Sequence, residues 1–180
     1  MRTLIDRCDM VAGLLLYPGA GYHELVRRCQ AELAAALGED GDFLADFAEA
    51  IHTLTPEELE ELFTRTFDLN PTCALEVGWH LFGENYSRGD FLVKMRQALR
   101  QHGLPESSEL PDHLSHVLAV LGRLSPAEYA PFAESHVVPA IDKMLAGLAG
   151  QGNPYEKLLR AIRRLVVHHL VTIPVEAAHG

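Results

Sequence analysis

A short segment near the middle of the chain carries side chains that are able to hold a metal ion. His113 and His116 are three residues apart, which places them on one face of a helix, and Asp112 directly precedes them. Together with Glu109 they supply carboxylate and imidazole groups, which bind zinc or act as an acid and a base. The same spacing fits a structural role, in which Asp112 caps the following helix and His113 bonds to a nearby carboxylate or carbonyl group. We favour the structural role and keep a metal-dependent helical enzyme as the alternative.

Two further histidine patterns argue against a metal enzyme. Glu49 and His52 form a Glu-x-x-His pair, whose spacing puts a carboxylate and an imidazole on one helical face in di-iron bundles. Such sites need two pairs and two more glutamates, and the sequence offers one pair. His168 and His169 are adjacent and so point to different faces of a helix. Because the common hydrolase and nucleotide-binding motifs are also missing, we predict a protein that is not an enzyme and that holds no metal and no cofactor.

Aromatic side chains are concentrated in the segment that precedes the histidines. Trp79 is the only tryptophan of the chain, and it is three residues from Phe82 and so on the same helical face. Core packing is one explanation of such a pair. The interleaved glycines and polar residues fit a second explanation, a groove in which the apolar face of a peptide is laid. The residues alone leave both explanations open. The aromatic residues of this segment are Phe67, Trp79, Phe82 and Tyr86.

The elements that position these residues are predicted to be helices. Almost every segment repeats apolar residues at helical spacing, and no stretch alternates with the period of two that marks a strand. Thr55 and Ser125 are each followed by proline and, at the third position, by glutamate, which predicts two capping boxes. Pro131 and Pro139 predict a short helix followed by a kinked or separate helix over Ile141–Leu148.

The number and spacing of these segments indicate the architecture. We predict an all-α fold in which residues 1–180 form a single compact bundle of about eight or nine helices. Glycine, proline, serine and glutamate cluster at residues 103–111, which predicts a mid-chain hinge loop. Residues from Pro174 onward are expected to form a frayed tail.

Composition restricts the partners of the chain. The net charge of −10 argues against nucleic acid or anionic lipid as a partner and favours one that carries positive charge. No apolar run approaches the ~20 residues that span a bilayer, and the charged N-terminus does not resemble a secretory signal. We therefore expect a cytoplasmic protein without direct membrane insertion. Three isolated cysteines fit a reducing compartment, and Cys8 and Cys29 lie on apolar helical stripes where we expect them to be buried.

The segment from Glu109 to Leu114 reads Glu-Leu-Pro-Asp-His-Leu. This hexapeptide resembles a motif of the TorD-like redox-enzyme maturation chaperones, especially of their nitrate reductase delta-subunit (NarJ) branch. The family also tends to show a Gly-Asp-Thr-Arg run before an Arg-Gly pair, of which only Gly83 and Arg88-Gly89 are matched here. Weaker matches occur in the same order along the chain: Leu14 to Pro18, Thr66-Phe67-Asp68 and Asn153-Pro154-Tyr155.

The resemblance implies an all-helical chaperone without catalytic activity of its own. Members of the family bind the unassembled catalytic subunit of a molybdopterin-dependent oxidoreductase, commonly through an N-terminal leader, and hold it in the cytoplasm until its cofactor is inserted. Whether the chain forms a homodimer is left open. Carried over by position, the client-binding site would be lined or braced by Glu109, Pro111, Asp112, His113, His116, Phe67, Trp79, Phe82 and Tyr86.

Overall fold

The computed structural model describes residues 3–38 and 42–172 of the chain. Within these ranges it shows helices and a single isolated bridge between Glu76 and His113, and no β-strand. The helices are α1 (Leu4–Gly13), α2 (Tyr22–Leu37), α3 (Phe43–Ile51), α4 (Pro56–Phe63), α5 (Val77–Phe82), α6 (Tyr86–Gln101), α7 (Leu114–Leu121), α8 (Pro126–Phe132), α9 (Val138–Leu148) and α10 (Tyr155–Thr172), with π-helical turns at Thr64–Asp68 and Ala133–Val137. The all-α prediction is confirmed.

The π-helical turns lengthen one helix and join two others. The first continues α4, and the second links α8 to α9, so the described residues form nine continuous helical rods. The second turn accommodates Pro139, which has no N–H to donate to the preceding turn. The kinked or separate helix predicted over Ile141–Leu148 is part of α9, which begins at Val138 and continues from α8 through the widened turn.

Local signals set the ends of several helices. Thr55 and Glu58 form the predicted capping box of α4, in which Thr55 Oγ1 accepts from the Glu58 backbone at 3.2 Å and the Glu58 carboxylate accepts from the Thr55 backbone at 2.8 Å. At the second predicted box, the Glu128 carboxylate accepts from the Ser125 backbone at 3.0 Å and from Ser125 Oγ at 2.6 Å. Gly38 ends α2 with a φ of 75°, a left-handed value that glycine adopts without steric cost.

One connected hydrophobic core unites these helices. Helix α10 packs against α2, α3 and α9, while α1 packs against α2 and α7. Cys8 and Cys29 are fully buried in this interior, as predicted. None of the helices in the described ranges is long and apolar enough to cross a membrane.

Ion pairs and burial hold the mid-chain loop, residues 103–111, against the rest of the fold. Gly103 leaves α6 with a φ of 64°, and the residues that follow are mostly exposed. Glu106 pairs with Arg96 at 3.4 Å and with Arg100 at 3.2 Å, which ties the loop back to α6. The chain becomes buried again at Pro111. The predicted frayed tail, Pro174 onward, lies outside the described residues.

Candidate peptide-binding site

The Asp112 carboxylate caps α5, a helix that precedes it by more than thirty residues. Its Oδ2 accepts from the backbone N–H of Gly78 at 3.1 Å, and its backbone carbonyl accepts from Val77 at 2.8 Å. These are the first two N–H groups of α5, whose own N-cap residue, Glu76, contributes no side-chain cap. The expectation that Asp112 caps the helix that follows it is therefore wrong. The N-cap residue of α7 is instead His113, whose Nδ1 accepts from the backbone N–H of Ser115 at 3.2 Å.

Arg88 supplies the charge that faces this carboxylate. Its Nε donates to Asp112 Oδ2 at 3.3 Å, and its guanidinium lies 5.8 Å from the centre of the Trp79 ring. Asp112 has no exposed surface, and its Oδ1 has no hydrogen-bond partner. Burial raises the pKa of Asp112 above its ordinary value, and the neighbouring Arg88 opposes that shift. The pair thus links the start of α5, the start of α6 and the segment before α7.

Glycine at position 78 allows the carboxylate to approach. A Cβ there would lie 2.7 Å from Asp112 Oδ2 and 3.0 Å from Cδ1 of Phe91. The first distance is shorter than Cβ contacts in proteins, and the second is tighter than most of them, so the backbone of α5 packs closely against the carboxylate on one side and a ring of α6 on the other.

The two histidines of the central motif are held by separate partners. His113 is 4% exposed, and its Nδ1 lies 2.7 Å from Ser115 Oγ. His116 Nδ1 lies 2.9 Å from the carbonyl oxygen of Leu110, and its Nε2 lies 3.0 Å from Ser107 Oγ. Burial, with a smaller contribution from His116, lowers the pKa of His113 to about 4, so its ring is neutral at neutral pH.

This arrangement does not support the metal-dependent enzyme. Glu109 lies 4.0 Å from His113 Nε2, while Asp112 faces Gly78 and Arg88. Across residues 3–38 and 42–172, no group of three histidine, cysteine or acidic side chains is placed to hold an ion.

The four predicted aromatic residues occupy three different environments. Phe67 is 3% exposed and contacts Tyr155, with ring centres 4.8 Å apart, so it belongs to the core, out of reach of a bound peptide. Trp79 and Phe82 are partly buried on α5, and Trp79 Nε1 donates to the carbonyl of Pro71 at 3.0 Å. Tyr86, at the start of α6, is 96% exposed.

An apolar groove of about 430 Å³ lies beside the C-terminal end of α5, where Phe82 forms part of a wall that comes mostly from α6. His136 stacks between two of its rings, with centres 5.2 Å from Phe91 and 5.0 Å from Phe132. Asp90 and Lys94 also line it. Of the site residues predicted from the sequence, Phe82 is the one that lines this groove. The apolar residues that line it are Phe82, Phe91, Met95, Ala98, Val120, Leu124 and Phe132.

A larger groove of about 680 Å³ lies between α2 and α3. Its walls carry charges of both signs, including Arg27, Asp46 and Glu49. The groove beside α5 has the more continuous apolar lining.

Two other motif matches, Thr66-Phe67-Asp68 and Asn153-Pro154-Tyr155, meet in the fold. Thr66 Oγ1 accepts from Asn153 Nδ2 at 2.7 Å and donates to the carbonyl of Leu62 at 2.6 Å. The neighbouring residues, Phe67 and Tyr155, are in ring contact. These two of the three weaker motif matches are thus parts of one junction between the first π-helical turn and the start of α10.

The structure thus combines a helical fold with an apolar groove that adjoins a helix braced by Asp112 and Arg88. Residues 30–167 match the family described as the nitrate reductase delta subunit, and the chain belongs to this family. It is 28% identical over 160 residues to the nitrate reductase molybdenum cofactor assembly chaperone NarJ of Escherichia coli strain K12. That alignment covers 87% of this chain and 67% of the relative, and the NarJ of Escherichia coli O157:H7 gives the same values. The resemblance seen in the sequence is confirmed.

Proposed function

We propose that this chain is a chaperone that binds the unassembled catalytic subunit of a molybdopterin-dependent oxidoreductase of the nitrate reductase type. It binds the N-terminal segment of that subunit in the cytoplasm and holds the subunit until its cofactor has been inserted. The chaperone has no catalytic activity of its own. The observation that carries the proposal is the apolar groove beside α5, in a chain whose relatives include a cofactor assembly chaperone.

The groove provides the affinity. Its aromatic and aliphatic lining suits an amphipathic helix or a short apolar stretch of the client. Burying one leucine or phenylalanine side chain contributes roughly 1.5–3 kcal/mol, from which the entropy lost on association is subtracted. Because release after maturation requires reversible binding, we expect a dissociation constant on the order of micromolar, to which contacts outside the groove and the attraction between charges also contribute.

The acidic character of the chain contributes to association. A net charge of −10 attracts a client segment that is rich in arginine or lysine and disfavours nucleic acid. This attraction acts mainly on the association rate and on the choice of partner.

The residues predicted from the sequence divide into two groups by exposure. Trp79, Phe82 and Tyr86 retain accessible surface, and we propose that they contact the client directly. Glu109 and His116 lie where α7 begins and remain at least partly accessible to it.

Three residues of the central motif are buried. Because Pro111, Asp112 and His113 have almost no surface for a client to touch, we propose that they brace the site from within.

Binding to the cofactor-free catalytic subunit tests the proposal. The chain is mixed with the subunit in cofactor-free and cofactor-loaded forms, and complexes are separated by size-exclusion chromatography. We expect a complex with the cofactor-free form only. The mass of the free chain also distinguishes a monomer from a homodimer. Absence of a complex with the cofactor-free form would overturn the proposal.

A matched pair of variants locates the binding surface. Leu124→Glu puts a charge into the groove, while Val93→Glu makes the same charge change on an exposed position of α6 that does not line it. We expect Leu124→Glu to weaken the complex at least about tenfold and Val93→Glu to leave it unchanged. Equal effects of the two substitutions would argue against the groove.

A further inference from the structure

We infer that Arg88 is a positioning residue for client binding: through Asp112 and Trp79 it holds α5, and with it the Phe82 wall of the groove, without touching the client. This inference rests on the proposed function. It assigns a role to a residue whose own side chain lies outside the groove lining.

Helix α5 depends on other parts of the chain for its position. It has six residues, and helices of this length are unstable in isolation. Its N-cap residue, Glu76, makes no side-chain cap, and the first two N–H groups are satisfied by Asp112. The start of α5 is thus held by a residue that follows the mid-chain loop.

Asp112 in turn depends on Arg88. A carboxylate without exposed surface is retained in its charged form only when hydrogen bonds and an opposite charge compensate for lost hydration. Arg88 Nε provides that charge at 3.3 Å, and the same guanidinium faces the Trp79 ring. Arg88 therefore contacts both the cap of α5 and a side chain of α5.

The groove is directly attached to this assembly. The backbone of Gly78 is packed so tightly that an added Cβ would lie 3.0 Å from the Phe91 ring. Phe91 and Phe82, whose ring centres are 5.7 Å apart, both line the groove. A displacement of α5 must therefore move Phe82 and the ring that contacts it.

The fluorescence of Trp79 allows a direct test, because it is the only tryptophan. Arg88→Met is compared with Arg96→Met, which removes an exposed arginine from the same helix. We expect Arg88→Met to shift the Trp79 emission of the free protein and to weaken binding of a synthetic client N-terminal peptide about tenfold. Arg96→Met is expected to do neither. Arg88→Lys keeps the positive charge but loses the planar guanidinium beside Trp79. It should therefore shift the Trp79 emission and weaken peptide binding in the same direction as Arg88→Met, but to a smaller extent.

A double-mutant cycle separates positioning from direct contact. If Arg88 acts through Asp112, then Arg88→Met combined with Asp112→Asn binds no more weakly than the weaker single variant. Additive losses, or weakened binding with an unchanged Trp79 emission, would overturn the inference. If the wild-type chain and Arg96→Met bind no client peptide, the proposed function fails, whereas an unchanged Trp79 emission in free Arg88→Met contradicts the positioning role by itself.

Discussion

Gly78 and Asp112 are 34 positions apart in the chain, and the backbone N–H of one donates to the carboxylate of the other at 3.1 Å. Gly78→Ala would place a methyl group 2.7 Å from that carboxylate oxygen and 3.0 Å from the Phe91 ring. Neither neighbour has free space, so we expect the free energy of unfolding to fall by about 1–3 kcal/mol. Urea denaturation followed by circular dichroism measures this.

Gly89→Ala is the control for that substitution. No atom lies within 4 Å of a Cβ at this position of α6, so alanine should stabilise the helix by about 0.5–1 kcal/mol. Equal stability of Gly78→Ala and the wild type would contradict the close packing of α5 against Asp112.

The buried imidazole of His113 makes stability depend on pH. Its pKa is lowered from 6.5 to about 4 in the folded protein, so the unfolded chain binds more protons between these values. The contribution of the neutral His113 ring to the free energy of unfolding is fully present above about pH 6.5. It falls by up to about 3 kcal/mol as the pH drops towards 4. His113→Asn keeps an acceptor for the Ser115 backbone and cannot titrate. We therefore expect its free energy of unfolding to decline less over this range, in urea titrations at several pH values.

His52→Gln removes an exposed histidine and serves as the control. If His113→Asn retains the full pH dependence of the wild-type chain, the buried neutral imidazole is not its source.

The hydroxyl of Thr66 is expected to stabilise the junction between the first π-helical turn and α10. Thr66→Val keeps the shape of the side chain but leaves the Asn153 amide without its acceptor at 2.7 Å. Removing one partner from a buried hydrogen bond costs about 1–3 kcal/mol, and we expect a loss of that size in urea denaturation. Thr53→Val, at an exposed position, should change stability by much less. Similar losses in both variants would show that the Asn153 contact is unimportant.

Client binding is expected to weaken with salt. The charge of −10 attracts a basic client segment over distances comparable to the Debye length, which shrinks from about 10 Å at 0.1 M salt to about 3 Å at 1 M. Stopped-flow measurements should therefore show a slower association rate at high salt and a smaller change in the dissociation rate. A salt-independent association rate would show that the net charge has no part in recognition.

The sequence predicted those parts of the fold that depend on neighbours in the chain. The capping box of Thr55 and Glu58 spans three residues, and the apolar stripes repeat within one helix, so both are visible in the linear order. The second π-helical turn was not predicted, because proline signals only that a regular helix cannot continue. Whether the chain separates or widens there depends on the packing of α8 and α9.

The candidate site was predicted only in part for the same reason. Asp112 was identified by its motif, but its partners Gly78 and Arg88 come from distant positions, and no periodicity links them. The matched Arg88-Gly89 pair was the one available signal of this contact. Phe67 matched a motif as well, yet that motif belongs to a buried junction with Asn153 and Tyr155.

The molybdenum content of the client tests the central claim most directly. The catalytic subunit is produced in cells with the wild-type chain, with the Leu124→Glu variant and without the chain, then purified and analysed for bound molybdenum. We predict nearly full occupancy with the wild-type chain and low occupancy in the other two preparations. Equal molybdenum occupancy in the presence and absence of the chain would contradict its role as an assembly chaperone.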